Sequence, residues 1–227
     1  MGWNRLKSEI SGLGTMDNAL VSDFDGTITR NDFYVLVAQH YLPNGTPDYF
    51  ALYRQGKLSH FDAMASYFAH TPTDEAAFNA LLHQSDPDPG LAAAAQRLGT
   101  ASWDLIIVSA GSSFYIEKIL SAAGVHATVH SNPGRLEPGR GLILEQPLSS
   151  PFFSPDVGID KAAVVRDALA HYKKVAFAGD GPPDVEPALL VEPGLRFARS
   201  FLADELLRRG EAFRAYTRWS EVVEALL

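Results

Sequence analysis

Residues 21–29 read Val-Ser-Asp-Phe-Asp-Gly-Thr-Ile-Thr, and this stretch decides how the rest of the chain is interpreted. Two carboxylates, Asp23 and Asp25, follow the apolar run 19–21, and Gly26 can end a strand there. Because residues i and i+2 of a strand face the same side, both carboxyl groups are predicted to project from its carboxyl end, where open α/β sheets bind ligands. Such close like charges repel unless a cation or a substrate neutralises them. The alternative, a solvated Asp-Gly turn, is disfavoured by the segments that follow.

Three later segments place polar residues at the ends of predicted strands or helices. Ser109 follows the run 105–108, and Lys161 stands at the start of a predicted helix. Asp180 and Asp184 have the spacing Gly-Asp-x-x-x-Asp and follow the apolar run that ends at residue 178. Helices that alternate with short apolar strands predict a parallel sheet, so these residues are expected to meet at one edge.

The four segments together resemble the motifs of the haloacid dehalogenase superfamily, which consists mainly of phosphatases. They occur in the order of the family and extend over residues 19–184. Each motif alone is weakly specific, but all four in order are a strong signal. The resemblance implies an α/β fold, a Rossmann-like three-layer parallel sheet with an inserted α-helical cap of the C1 type and a small β-flap.

The resemblance also implies roles for the acidic residues. Asp23 would be the nucleophile that forms an aspartyl-phosphate, and Asp25 would serve first as general acid and then as general base. Asp23, Asp180 and the backbone carbonyl of Asp25 would bind Mg²⁺, which prefers hard oxygen ligands. Asp184 would support the metal, although an acidic residue is also favoured at a helix start by the helix dipole.

A second group of residues is predicted to bind the phosphate and the substrate. The Ser109 hydroxyl and the backbone N–H groups of Ala110 and Gly111 would contact phosphate oxygens, and Ser109 could equally cap the next helix. Lys161 would balance the charge of the transferred phosphoryl group, whereas lysines at helix starts are often merely solvated. Asp32 lies where related phosphoserine phosphatases carry an acidic residue that recognises the substrate amine.

The insert is predicted from spacing, since Ser109 follows Asp25 by 84 positions and a simple crossover needs far fewer. We expect a helical cap at 31–88, a core domain at 1–30 and 89–227, a β-hairpin flap within 131–148, and a short helix at Trp3–Ile10. The predicted strands are 19–24, 105–108, 127–130, 175–178 and 195–198, and the predicted helices are 33–41, 49–55, 59–70, 73–82, 91–98, 112–123, 159–171, 184–190, 201–209 and 219–227.

Composition excludes several classes of function. The formal net charge of −8 argues against a nucleic-acid-binding surface, which needs a basic stripe. The sequence contains no cysteine, which excludes disulfides, thiolate metal sites and cysteine nucleophiles. No stretch approaches the roughly 20 apolar residues of a membrane span, and we see no signal peptide. The chain is therefore expected to be a cytoplasmic protein that acts on a small phosphorylated metabolite.

The substrate is less sharply predicted than the chemistry. Gly26 departs from the phosphoserine phosphatases, which have Ser there, and the run 179–186 is more similar to the methionine-salvage phosphatases. Those enzymes act on 2-hydroxy-3-keto-5-methylthiopentenyl-1-phosphate. The run 151–155 departs from that branch, some members of which carry cysteines there.

The same carboxylates help to distinguish between other functions on this fold. A dehalogenase would lack Asp25 and the acidic pair Asp180 and Asp184. A non-catalytic metal-binding or interaction protein would be expected to have lost Asp23 or Asp25, and both are present. A phosphotransferase stays open, because it differs from a phosphatase only in the acceptor.

Overall fold

The structure, a computed structural model, describes residues 16–227. The helix predicted at Trp3–Ile10 lies outside these residues. A six-stranded sheet forms the centre, and neighbouring strands pair in parallel throughout. The strands are β1 Asn18–Ser22, β2 Trp103–Ser112, β3 Thr128–Asn132, β4 Gly134–Glu137, β5 Gly141–Leu144, β6 Phe153–Ser154, β7 Gly158–Ile159, β8 Lys174–Gly179, β9 Arg196–Ala198 and β10 Arg214–Ala215. The order in the sheet is β10-β9-β8-β1-β2-β3.

Helices cover both faces of this sheet. The α-helices are α1 Phe33–Tyr41, α2 Tyr49–Arg54, α3 His60–Phe68, α4 Glu75–Gln84, α5 Leu91–Thr100, α6 Ser113–Ala122, α7 Lys161–His171, α8 Val185–Leu190, α9 Ser200–Arg209 and α10 Trp219–Leu226. Along β1, Leu20 packs into the core with α5, α6 and α10, whereas Ala19 and Val21 pack with α7, α8 and α9. This alternation confirms the predicted three-layer Rossmann-like fold. In the part of the chain that the structure describes, no helix has the length and apolar character needed to cross a membrane.

The four helices α1–α4 form the segment inserted between β1 and α5. The two ends of this segment lie next to each other, where Thr29 and Pro87 form an antiparallel bridge. Asp88 N donates to Ile28 O at 2.9 Å on one side of this bridge, and Asn31 N donates to Ser85 O at 3.1 Å on the other.

Two antiparallel hairpins lie outside the central sheet. The hairpin β4–β5 confirms the flap predicted within 131–148. Gly141 (φ +77°) brings it against the end of α3, because a Cβ there would lie 2.3 Å from Ala69 O. The sequence did not predict the second hairpin, β6–β7, which precedes Lys161.

The prediction that the second strand covers only 105–108 was wrong. Strand β2 continues to Ser112, which pairs with Asn132 after a shift of register between Val108 and Ser112. The apolar run ends at Val108, but the backbone remains extended because β3 continues beside it. The helix cap is correspondingly Ser112, whose side chain accepts a hydrogen bond from Phe114 N at 3.3 Å.

Candidate active site

The predicted polar residues meet at the carboxyl edge of the sheet. Strand β1 lies between β2 and β8. The structure therefore brings Asp23, Ser109 and Asp180 together from three neighbouring strands. This edge is the usual ligand site of an open parallel sheet.

The loop after β1 is folded tightly against Asp180. Ile28 N and Thr29 N donate to Phe24 O at 2.8 and 3.1 Å, which closes the loop on itself. Gly26 has a φ of +71°, and a Cβ there would lie 2.4 Å from Asp180 Oδ2. Only glycine therefore fits between the loop and this carboxylate.

Three carboxylates and one ammonium form the centre of the site. Asp23, Asp180 and Asp184 each place a carboxylate oxygen within 4.8 Å of the others. Lys161 Nζ lies 2.8 Å from Asp23 Oδ1 and 2.7 Å from Asp184 Oδ1, and all three side chains are buried. Asp184 also accepts from Asp180 N at 3.0 Å and Gly181 N at 2.9 Å. Asp184 therefore holds the start of the loop after β8 in place.

Burial and mutual repulsion disfavour the charged forms of these acids. Burial, followed by the charge of Asp184, raises the pKa of Asp23 well above its usual value, although Lys161 opposes this. Burial and the charges of Asp184 and Asp32 raise the pKa of Asp180 to about 7. Burial works against the Lys161 ammonium, but Asp184 and Asp23 outweigh it and raise the pKa of Lys161. One lysine does not neutralise this group of carboxylates.

The chemistry of these donors fits a hard divalent cation. Carboxylate oxygens close together and surplus negative charge are the conditions under which Mg²⁺ or Ca²⁺ binds. A cation there would offset the repulsion that raises the pKa of Asp23 and of Asp180.

Asp25 lies in a different environment from Asp23. It accepts hydrogen bonds from the Tyr115 hydroxyl and from Phe33 N, the latter at 3.1 Å, while Ser109 Oγ lies 3.5 Å away. Burial raises the pKa of Asp25 to about 6, and these hydrogen bonds limit the rise. A carboxyl group with a pKa near 6 can both give and accept a proton near neutral pH.

The segment predicted to bind phosphate is held by its own hydrogen bonds. Gly111 N donates to Ser109 Oγ at 2.9 Å, and Ala110 O accepts from Asn132 Nδ2 at 2.8 Å. The Gly111 N–H is therefore engaged by Ser109 in this conformation, which the sequence did not predict. A Cβ on Gly111 would collide with the Tyr115 hydroxyl. Only glycine therefore lets this part of the backbone lie close to Asp25.

Asp32 precedes α1 and makes no capping hydrogen bond to it. Burial and the charge of Asp25 raise the pKa of Asp32 to about 6. Asp32 and Asp180 line the same cavity, which has a volume of about 190 Å³. Arg30 and Arg199 also line it.

Sequence reasoning missed two contributors to the site. Tyr115 contacts Asp25 from α6, 90 positions away, and no local pattern marks such a contact. The second is Thr27, whose hydroxyl donates to Asp180 Oδ1 at 3.0 Å. The only available signal was its place in the first motif.

The chain is similar to known phosphatases. A 2-hydroxy-3-keto-5-methylthiopentenyl-1-phosphate phosphatase of Brevibacillus brevis is 26% identical over 194 residues, which cover 82% of this chain and 84% of the relative. The probable phosphatase phospho2 of Xenopus tropicalis is 25% identical over 196 residues, 79% of this chain and 81% of the relative. A substrate-bound phosphoserine phosphatase structure has a similar fold, with a TM-score of 0.61, 14% identity, and coverage of 91% of this chain and 96% of that chain.

The family match covers most of the site. The haloacid dehalogenase-like hydrolases match residues 20–189, which include every predicted catalytic and metal-binding residue. The predicted enzyme class, a phosphatase, is confirmed by this match and by the named relatives. The chain belongs to the haloacid dehalogenase-like hydrolase family.

Proposed function

We propose that the chain is a Mg²⁺-dependent phosphomonoester hydrolase that acts through an aspartyl-phosphate on a small phosphorylated metabolite. One observation carries this proposal: two neighbouring carboxylates have different surroundings. Asp23 pairs with Lys161 beside Asp180 and Asp184, while Asp25 is hydrogen-bonded by Tyr115 and stands apart. Such a division of environments separates a nucleophile from a general acid.

Asp23 and Asp25 act in two successive half-reactions. An Asp23 oxygen attacks phosphorus while the bond to the leaving oxygen breaks, and Asp25 gives its proton to that oxygen. A water then attacks the aspartyl-phosphate and gives a proton to the Asp25 carboxylate. Phosphate leaves, and both residues return to their starting states. A single carboxyl group with a pKa near 6 suits both proton transfers.

Lys161 and a bound cation would together balance the negative charge of the site. Asp23, Asp180 and the backbone carbonyl of Asp25 would hold Mg²⁺, and Asp184 would support it. When bound, Mg²⁺ offsets the charge of the carboxylates and of the phosphate dianion. Lys161 balances charge on Asp23 and on the transferred group. The Ser109 hydroxyl, which accepts from Gly111 N, donates its proton to a phosphate oxygen.

We further propose that residues 31–88 are a cap domain on a core formed by 1–30 and 89–227. The paired crossings at Thr29 and Pro87 support this boundary. Such a cap excludes water and selects the substrate. The substrate candidates are the methylthiopentenyl phosphate of methionine salvage, suggested by the Brevibacillus relative, and phosphoserine, suggested by the structural neighbour. A cytoplasmic location fits either metabolite.

A panel of phosphorylated metabolites assayed with Mg²⁺ tests the proposed function. The panel includes phosphoserine, methylthio-sugar phosphates and the methylthiopentenyl phosphate, each followed by phosphate release. We expect turnover of at least one metabolite with Mg²⁺ and none in EDTA. Metal-dependent binding without turnover of any substrate would favour the non-catalytic alternative. Transfer of phosphate to an added alcohol in preference to water would favour the phosphotransferase.

A further inference from the structure

The segment from Gly210 to Trp219, the first residue of α10, packs behind the loops that carry Asp23 and Asp180. Tyr216 is 7% exposed and Trp219 is fully buried. Neither residue contacts the proposed nucleophile directly. Trp219 reaches the first motif through Ser22, whereas Tyr216 contacts Thr27 and also the end of β8 at Gly179.

Tyr216 reaches Asp180 through Thr27. The Tyr216 hydroxyl lies 3.4 Å from Thr27 Oγ1 and 3.1 Å from Gly179 O, so its one proton can be shared between these acceptors. Thr27 Oγ1 donates to Asp180 Oδ1 at 3.0 Å. An ionised carboxylate only accepts hydrogen bonds, so the Thr27 proton points to Asp180 and a lone pair faces Tyr216.

Trp219 reaches the first motif through Ser22. The indole Nε1 donates to Ser22 Oγ at 3.0 Å, and Ser22 Oγ donates to Asp23 O at 2.7 Å. The hydroxyl of Ser22 therefore has a defined direction, with its proton on the Asp23 carbonyl. Two residues of one segment thus fix the backbone at Asp23 and the side chain at Asp180.

Asp180 needs such support because its surroundings repel it. Asp184 and Asp32 act on it with like charge, and one side faces the 190 Å³ cavity. Within residues 16–227, Thr27 supplies the side-chain hydrogen bond found on the Asp180 carboxylate. A Thr27 hydroxyl freed from Tyr216 could rotate away, and Asp180 could then turn toward the cavity.

We propose that Tyr216, acting through Thr27, is a positioning residue for the cation-binding carboxylate of Asp180. The inference rests on the proposed function, since it assigns Tyr216 to the same Mg²⁺ site. Residues that orient metal ligands from behind typically change metal affinity or activity by about 10- to 100-fold when removed. Tyr216 acts through Thr27, so we expect an effect near the lower end, roughly 10-fold.

The test measures Mg²⁺ binding without substrate, by isothermal titration calorimetry on the full chain. Tyr216→Phe removes only the hydroxyl and keeps the ring. Tyr172→Phe is the matched control, because it removes a tyrosine hydroxyl that donates to Asp104 at 2.5 Å at the opposite end of the strands. Thr27→Val removes the relay, and Thr27→Ser keeps its hydroxyl. Thermal unfolding in EDTA shows whether each variant is folded.

The expected result is a dissociation constant for Mg²⁺ raised roughly 10-fold in Tyr216→Phe. It should rise at least as much in Thr27→Val and stay near the wild-type value in Thr27→Ser and Tyr172→Phe. The KM for p-nitrophenyl phosphate at saturating Mg²⁺ should not change. Lower thermal stability of Tyr216→Phe with unchanged Mg²⁺ affinity would overturn the inference alone. Absence of Mg²⁺ binding in the wild-type chain would overturn the proposed function together with it.

Discussion

At the scale of single residues, the site separates two carboxylates that stand one residue apart in sequence. Lys161 pairs with Asp23, and Tyr115 donates to Asp25. The pattern Asp-x-Asp predicts that both carboxyl groups lie at a strand end. It does not predict which one is shielded by a tyrosine, because that depends on a helix 90 positions later. The carboxylates could therefore be found from sequence, but their surroundings could not.

Substitution of each carboxylate should have a different result. Asp23→Asn should abolish covalent phosphate incorporation, because the attacking oxygen is gone. Asp25→Asn should lower kcat roughly 10²–10⁴-fold, the usual range for a general acid or base, with the largest loss for poor leaving groups. Acid quench measures the trapped phospho-enzyme of Asp23→Asn, and phosphate release measures the kcat of Asp25→Asn. The exposed Asp167→Asn is the control for each. Phosphate incorporated by Asp23→Asn would place the nucleophile elsewhere.

Asp32 should make the metal-free protein less stable as the pH rises. Its pKa is raised to about 6, above the roughly 3.9 of an unfolded chain, so the folded state holds the proton more tightly. The resulting stability is present below about pH 4 and is lost as the pH rises through about 6. Asp32→Asn stays neutral, so we expect it to exceed the wild type above pH 6 by on the order of 2 kcal/mol.

Urea unfolding in EDTA across this pH range measures the difference between Asp32→Asn and the wild type. The exposed variant Asp167→Asn controls for the loss of one negative charge. A stability difference that is the same at both ends of the range would mean that Asp32 does not titrate with the raised pKa.

At the scale of elements, the sequence predicts those helices and strands that have a pattern of their own. Helix α3 has an apolar stripe and a local capping signal in Ser59, whose Oγ accepts from Asp62 N at 3.0 Å. Strands β6, β7 and β10 have two residues each, too few to show a pattern of their own, and form by pairing with another strand. The continuation of β2 beyond Ser109 likewise depends on β3. Periodicity therefore finds elements that carry their own pattern and misses those imposed by a neighbour.

The inserted helices should control the substrate more than the chemistry. Asp32→Ala should slow turnover of the physiological substrate, because an unpaired buried polar group costs about 1–3 kcal/mol, or roughly 5- to 150-fold in rate. It should change little for p-nitrophenyl phosphate, which needs only the core site. Glu75→Ala, an exposed acidic residue of the same insert, serves as control. Equal losses on both substrates would assign Asp32 to the catalytic core or to folding.

At the scale of the whole molecule, the chain is acidic, with a formal net charge of −8. Such a surface does not attract a phosphate dianion, so the attraction must be local. Lys161 is the buried ammonium at the site, and it already pairs with two carboxylates. Under the proposed function, a bound cation would both attract the substrate and relieve the repulsion among the carboxylates of the site.

Mg²⁺ should accordingly stabilise the whole fold. A ligand that binds only the folded state stabilises it by about 2.7 kcal/mol at 100 times its dissociation constant. We expect Mg²⁺ to raise the midpoint of thermal unfolding, and EDTA to reverse this and to abolish phosphatase activity. Asp180→Asn should lose most of the shift, whereas Asp167→Asn should keep it. Full activity in chelator would contradict the metal assignment.

The adjacent crossings at Thr29 and Pro87 have an evolutionary consequence. A chain that leaves and re-enters a core at hydrogen-bonded neighbours closes its own loop, and the entropic cost of closure grows only logarithmically with length. The segment between them can therefore be lengthened, shortened or replaced with little cost to the sheet. Its first turn is tied to the core, because Phe33 N donates to Asp25 and its ring stacks on Tyr115. The start of α3 is tied to it as well, because Phe61 N donates to Asp156 O at 2.7 Å. New substrate preferences can thus arise by exchange of this segment while the chemistry is inherited unchanged.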